Sequence, residues 1–288
     1  MSLNTFYYSR YHFIIDLLPA QKIDHLKKGI ENHGSVLVYG FKYKFHNTSD
    51  MVVDGERIIM GSLVKYDPAA PSQVVDEATG KITNTVSPNK VLAISHFVIH
   101  TKTSQIAFTT VPNFISKTTF TDVFSKLITL NNSYPTPNKI KVISMSPINF
   151  EYSFVEKVEA IKKIKRITIT IVPSNPHFGE HWEKIDKDLK DRNISLYKEF
   201  QQNKTDKGIE IDEETKAKFL MSEDGYGDSI VEGENELGNP VTVSTQQKDR
   251  QESLPIEMNE RTSPAVIARR LLVKFLSIGQ RAKDDDKS

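Results

Sequence analysis

Arg166-Ile167-Thr168-Ile169-Thr170-Ile171-Val172, followed by Pro173-Ser174-Asn175-Pro176, is the stretch on which the fold turns. Ile alternates with Thr at the two-residue period of a strand with one face in a core, and β-branched side chains favour that backbone. The prolines then stop the strand. Asn175 suits a helix cap and Pro176 the first helical position, so a helix to about residue 193 is expected. The same alternation of elements continues on both sides. Upstream, 139–145 has the period of a short strand, and Phe154, Val158 and Ile161 recur at helical spacing. Downstream come a strand over 194–200, a helix around 212–221, a glycine-punctuated ribbon around 225–245 and a last helix from Pro264.

The N-terminal half has a different texture. Phe6 to Ile15 is rich in aromatic and β-branched residues, and Pro19 opens a helical pattern through Ile23, Leu26 and Ile30 that Gly34 stops. Segments 36–45 and 57–66 form a hairpin-like pair with Asp54-Gly55 as its turn signal. Four breakers, Pro68, Pro71, Gly80 and Pro88, mark 67–90 as a loop or short ribbon, and a further strand pair flanks Lys102-Thr103-Ser104. Phe120, Val123, Phe124, Leu127 and Ile128 make a helical stripe that Pro135 and Pro137 end. Strand runs followed by strand–helix alternation imply an α+β or mixed α/β protein of two lobes, each a sheet with helices mainly on one face. The division falls at the proline pair: 1–134 as a strand-rich lobe, 135–288 as an α/β lobe. Within the second, 203–260 is expected to be loop-rich, and the terminal helix basic and amphipathic.

The chain has 288 residues, 38 Lys+Arg, 37 Asp+Glu and no Cys. Without Cys there is no disulfide scaffold, thiolate metal site or Cys nucleophile. No apolar run approaches the ~20 residues that cross a bilayer, so a cytoplasmic protein without a membrane span is expected. The near-zero net charge hides a partition. Residues 203–260 carry 6 basic against 15 acidic groups, net −9, whereas 261–288 carry 7 against 3, net +4. Basic faces are therefore compatible with a neutral total.

His177-Phe178-Gly179-Glu180-His181 sets two His at i and i+4 on one helical face, a spacing that can bind a divalent metal but lacks the HExxH order of a metallopeptidase. Solvated imidazoles at a helix start are the simpler reading, and no metal or other cofactor is expected. The ribbon from Asp224 to Gly233 lacks the Lys and Ser/Thr of a phosphate-cradling loop and lies in acidic surroundings. No GxSxG elbow is present. Two basic stretches carry the functional expectation. Lys162, Lys163, Lys165 and Arg166 lie where a helix end runs into a strand. Arg269, Arg270 and Lys274 lie on the last helix, whose apolar positions Leu271, Leu272, Phe275 and Ile278 need a partner, either the body of the protein or another protomer. Such cations contact phosphates without reading sequence. Aromatics Tyr7, Tyr8, Tyr11, Phe41, Tyr43 and Phe45 beside Arg10, Lys42 and Lys44 offer a stacking surface for single strands, or simply a core face.

The layout resembles the phage-exclusion sensor proteins of temperate phages and uncharacterised bacterial proteins found with phage-defence genes. The resemblance spans roughly the last two thirds. It rests on the Arg166–Pro176 segment, the glycine-bearing acidic stretch and the terminal helix with the Arg269-Arg270 pair. It implies a two-lobed protein that dimerises and binds DNA with little sequence preference and without catalysis, and DNA is expected ahead of RNA as the partner. It carries no site across residue by residue. An RNA-processing endonuclease of two ferredoxin-like lobes, using His12 or His25, and a protein-binding subunit docking through its last helix stand as alternatives.

Overall fold

The computed structural model describes residues 2–13, 19–32, 34–76, 81–133, 143–150, 152–174, 181–205, 207–246, 250–258 and 262–284. In chain order the N-terminal half gives β1 (Ser2–Phe13), α1 (Pro19–Glu31), β2 (Val36–Val38), β3 (Phe41–Val53), β4 (Glu56–Asp67), β5 (Ala70–Asp76), β6 (Lys81–Ser87), β7 (Lys90–His100), β8 (Gln105–Thr109) and α2 (Lys117–Ser133). Then follow β9 (Ile143–Pro147), α3 (Phe154–Glu159), β10 (Lys163–Ile171), α4 (Glu183–Asp191), β11 (Tyr197–Gln202), α5 (Glu213–Met221), a π-helical turn (Ser222–Tyr226), β12 (Gly227–Glu234), β13 (Pro240–Ser244), β14 (Ser253–Met258) and α6 (Pro264–Asp284). The architecture is mixed α+β. Among the described residues, no helix is long and apolar enough to cross a membrane.

The first sheet has the strand order β14-β1-β8-β7-β4-β3-β2, with β9 also paired to β1. Its β3–β4 hairpin closes at Asp54 and Gly55, both at positive φ (50° and 83°), as a two-residue turn matching the twist of the strands requires. Segment 67–90 takes the ribbon alternative, as β5 paired with β6. One face of this sheet packs on α1 and α2 through Phe45, Phe97, Phe120 and Phe124, with Phe108 stacked on Phe120 at 4.1 Å. The alternate side chains, Phe6, Tyr8, Ile58 and Val98, face α6.

Sheet membership does not follow a cut at Pro135. Strands β9 and β14 and helix α6 all lie C-terminal to it, yet both strands pair with β1 and the helix covers the second face of the first sheet. The physical reason is that this face is apolar along β1, β4 and β7, and α6 brings Leu271, Leu272, Phe275 and Ile278 to bury it. The apolar stripe of α6 is thus satisfied within the chain.

The second sheet, order β11-β10-β12-β13, is antiparallel throughout. Ile167, Ile169 and Ile171 of β10 are buried, together with Phe154 and Val158 of α3, Leu189 of α4 and Phe219 of α5. Among its described residues the acidic segment 203–260 is not loop-rich, because its charges and apolar groups are sorted by face. It supplies α5, the π turn, β12, β13 and β14, with Phe219, Met221, Tyr226, Val231 and Val243 inside. Asp212 caps α5 by accepting from the Thr215 backbone N–H at 2.8 Å.

Candidate nucleic-acid interface

With helices α3 to α5 supplying the core on one face of the second sheet, the other face carries side chains at the alternate positions. Cross-strand register places them in rows. One row runs Phe200, Thr168, Ile230, Ser244 across the four strands. Beside it runs Gln202, Arg166, Glu232, Thr242, and on the other side Lys198, Thr170, Asp228. Phe200 is 61% exposed, unlike the buried Phe residues of the core. The Arg166 guanidinium carbon lies 5.9 Å from its ring centroid, a cation–π arrangement.

At the end of this face a groove of about 470 Å³ opens between β10, β12, β13 and the segment after β11. It is lined by the cations Lys163, Lys165, Arg166 and Lys204 and by the acids Glu232 and Glu234. Four cations against two carboxylates leave a surplus of +2. The bulge between Ile164 and Arg166 produces this crowding, because the extra residue Lys165 is added to the charged side of β10. Arg166 Nη1 donates to Glu232 at 2.8 Å, Lys163 pairs with Glu234 at 4.0 Å, and Lys165 also bonds Glu234. These pairs are half exposed and contribute little to stability. They tie the cations to the carboxylates within the groove lining. On the same face, burial raises the pKa of the Asp228 carboxyl, opposed by the Thr245 hydroxyl bond.

The first expected basic stretch is therefore brought together, except that Lys162 is exposed at the bend before β10 and does not line the groove. The second stretch is elsewhere, on α6 over the first sheet. Arg269 is held in a two-pronged bond to Asp54 of the β3–β4 turn at 3.0 and 3.1 Å, Lys274 pairs with Glu252 at 3.1 Å, and Arg270 is exposed. The N-terminal aromatics take the core alternative. Tyr8, Tyr11, Tyr43 and Phe45 are buried, and Phe41 packs under the Lys65 ammonium, 4.2 Å from its ring centroid. Phe200 supplies the exposed ring instead. Its sequence signal is the strand alternation at Tyr197, Glu199 and Gln201, which leaves Lys198, Phe200 and Gln202 outward.

The candidate histidines are dispersed. His177 lies outside the described residues, and His181 lines a second cleft of about 540 Å³ with residues of α4 and α5. Among the described residues, no group of three or more His, Asp or Glu gathers as a metal cluster. His12 has a buried, unpartnered Nε2, and desolvation, reinforced by Arg10, lowers its pKa to about 3. His25 Nδ1 donates locally to the Gln21 backbone carbonyl at 3.1 Å within α1.

The glycine-bearing stretch forms a buried joint. Gly225, at φ 85°, presses against Arg10 Cβ, and a Cβ there would lie 3.0 Å away. Glu223 Oε1 accepts from the Ser153 and Phe154 backbone N–H groups at 3.1 and 3.0 Å, and burial pushes its pKa up to about 7. All five residues of the turn, Ser222–Tyr226, are buried.

No curated protein matches the chain. Residues 25–272 match the model of a family described as Domain of unknown function (DUF4747), and the chain belongs to that family.

Proposed function

We propose that this protein binds nucleic acid without catalysis, gripping the phosphate backbone with little sequence preference through the open face of its second sheet. As the layout resemblance implies, it would do so as a component of phage defence or prophage exclusion. The observation that carries this reading is the convergence of Lys163, Lys165, Arg166 and Lys204 on one groove with a cationic surplus. Phosphate contacts by such groups release counterions, so affinity falls as salt rises, by a log–log slope of roughly −0.7 to −0.9 per phosphate neutralised. The α6 cations are secondary in this reading, since Arg269 and Lys274 already hold carboxylates.

The experiment is a salt titration of oligonucleotide binding by the parent chain and by a Lys163→Glu, Lys165→Glu, Arg166→Glu variant whose fold is checked by circular dichroism. Binding that weakens with salt in the parent and is lost in the variant supports the reading. Equal binding by both, or none by the parent, contradicts it.

A further inference from the structure

The charged groove accounts for phosphate but leaves unexplained why a large apolar ring stands in solvent beside it. We infer that the ligand of this face is a single-stranded nucleic acid, with one base stacked on Phe200 and the neighbouring phosphates held by Arg166 and Lys198. This rests on the nucleic-acid reading above and narrows its substrate.

Three observations converge. First, the row that holds Phe200 is uncharged, Thr168, Ile230 and Ser244 being its other members, and cations flank it on both sides: Arg166 in one adjacent row and Lys198 in the other. Residues two apart on a strand lie about 7 Å apart, so ring and cations suit a base and its adjoining phosphates. Second, Phe200 is 61% exposed while Arg166 already approaches its ring. A base laid on the outer ring face would gain stacking and keep that cation beside its phosphate. Third, the face is too broad for a duplex groove. Four strands about 4.8 Å apart span roughly 14 Å between the outer two, more than the ~12 Å width of the major groove, which admits at most a two-stranded ribbon. Against duplex, the Phe200 ring would meet sugar and phosphate and gain no stacking. A single strand offers unpaired base faces. Stacking is indifferent to base identity, which agrees with weak sequence preference.

The test uses the full chain and labelled oligo(dT) and oligo(U) of about ten nucleotides, with a duplex of equal length, each at two salt concentrations. The expected result is tighter binding of the single strands than of the duplex. Phe200→Ala should weaken the single strands about tenfold while leaving the salt slope unchanged, and Phe200→Tyr should restore binding. A preference between the two single strands, which differ in the 2′-hydroxyl and the thymine methyl, leaves the inference standing. If duplex binds as tightly as single strands and Phe200→Ala is silent, the inference is overturned while the backbone reading survives. If no oligonucleotide binds, both fall. Concentration-dependent self-association that Phe200→Ala abolishes, without oligonucleotide binding, would assign the ring to a protein contact and overturn both.

Discussion

Arg10 Nη2 donates to Asp224 Oδ2 at 2.9 Å across 214 residues of sequence, with both side chains buried. The same guanidinium donates from Nε to the Asp224 carbonyl and from Nη1 to the Thr103 carbonyl, each at 2.9 Å, and lies 4.2 Å from the Tyr226 ring centroid. Arg10 belongs to β1 of the first sheet, whereas Asp224 and Tyr226 belong to the turn that launches β12 of the second. The pair therefore fixes the strand that carries Glu232 and Glu234 to the larger sheet, and so anchors the candidate interface from behind.

Removing either member alone leaves a buried charge without its counterion. Arg10→Met or Asp224→Leu should each destabilise the protein by about 3–5 kcal/mol. The double variant should cost less than the two singles added. Urea unfolding of the four species measures this; strict additivity would show that the two groups do not act as a pair.

Glu223 makes stability depend on pH in an unusual sense. Its folded pKa, raised by burial to about 7, lies above the ordinary carboxyl value of 4.5. Between those values the folded state holds more protons than the unfolded one. The contribution is thus fully present below about pH 4.5 and lost as pH rises toward 7, at no more than about 1.4 kcal/mol per pH unit. Glu223→Gln keeps an acceptor for the Ser153 and Phe154 N–H groups and removes the titration. The difference in unfolding free energy between parent and variant should tilt across that window and be flat above it.

Phe275 of α6 is fully buried against Tyr8, at 5.3 Å between ring centroids, and against the His100 ring at 5.7 Å. Phe275→Ala should cost about 3–5 kcal/mol. A chain that stays monomeric and merely less stable would agree with an intramolecular role for this face, whereas dissociation of an oligomer without loss of stability would contradict it.

The elements most visible in the sequence are those whose evidence is local. The Ile–Thr alternation of β10, the Asp54-Gly55 turn and the Phe120–Ile128 stripe of α2 each announce their element within a few residues. What the local pattern does not contain is pairing between distant segments. Nothing near Ser253–Met258 says that it will pair with Ser2–Tyr7, and nothing in the apolar stripe of α6 distinguishes the chain's own sheet from another protomer. The site was legible by half. Lys163, Lys165 and Arg166 stand together in sequence and stay together in space, but Lys204, Glu232 and Glu234 join them only through the strand register. The aromatic-rich N-terminal strands have the composition of a stacking surface, yet two covered sheet faces take most of those rings into the core.

Glu232 pairs with Arg166, and Glu234 with Lys163 and Lys165, so under the proposed function both acids would compete with phosphate for these cations. Replacing both by Gln should strengthen oligonucleotide binding several-fold, since the cations need no longer be released from carboxylates. Stability should change by about 1 kcal/mol or less, as for exposed ion pairs. Anisotropy titration and thermal melting check the two halves of this statement; weaker binding would show that the acids contribute to the ligand site.

The most direct measurement is amide hydrogen exchange of the full chain with and without a saturating single-stranded oligonucleotide. The account predicts added protection in β10, β11 and β12 around Arg166, Phe200 and Glu232, and unchanged exchange along α6. Protection confined to α6, or no change on the second sheet under conditions where the oligonucleotide is bound, would contradict it.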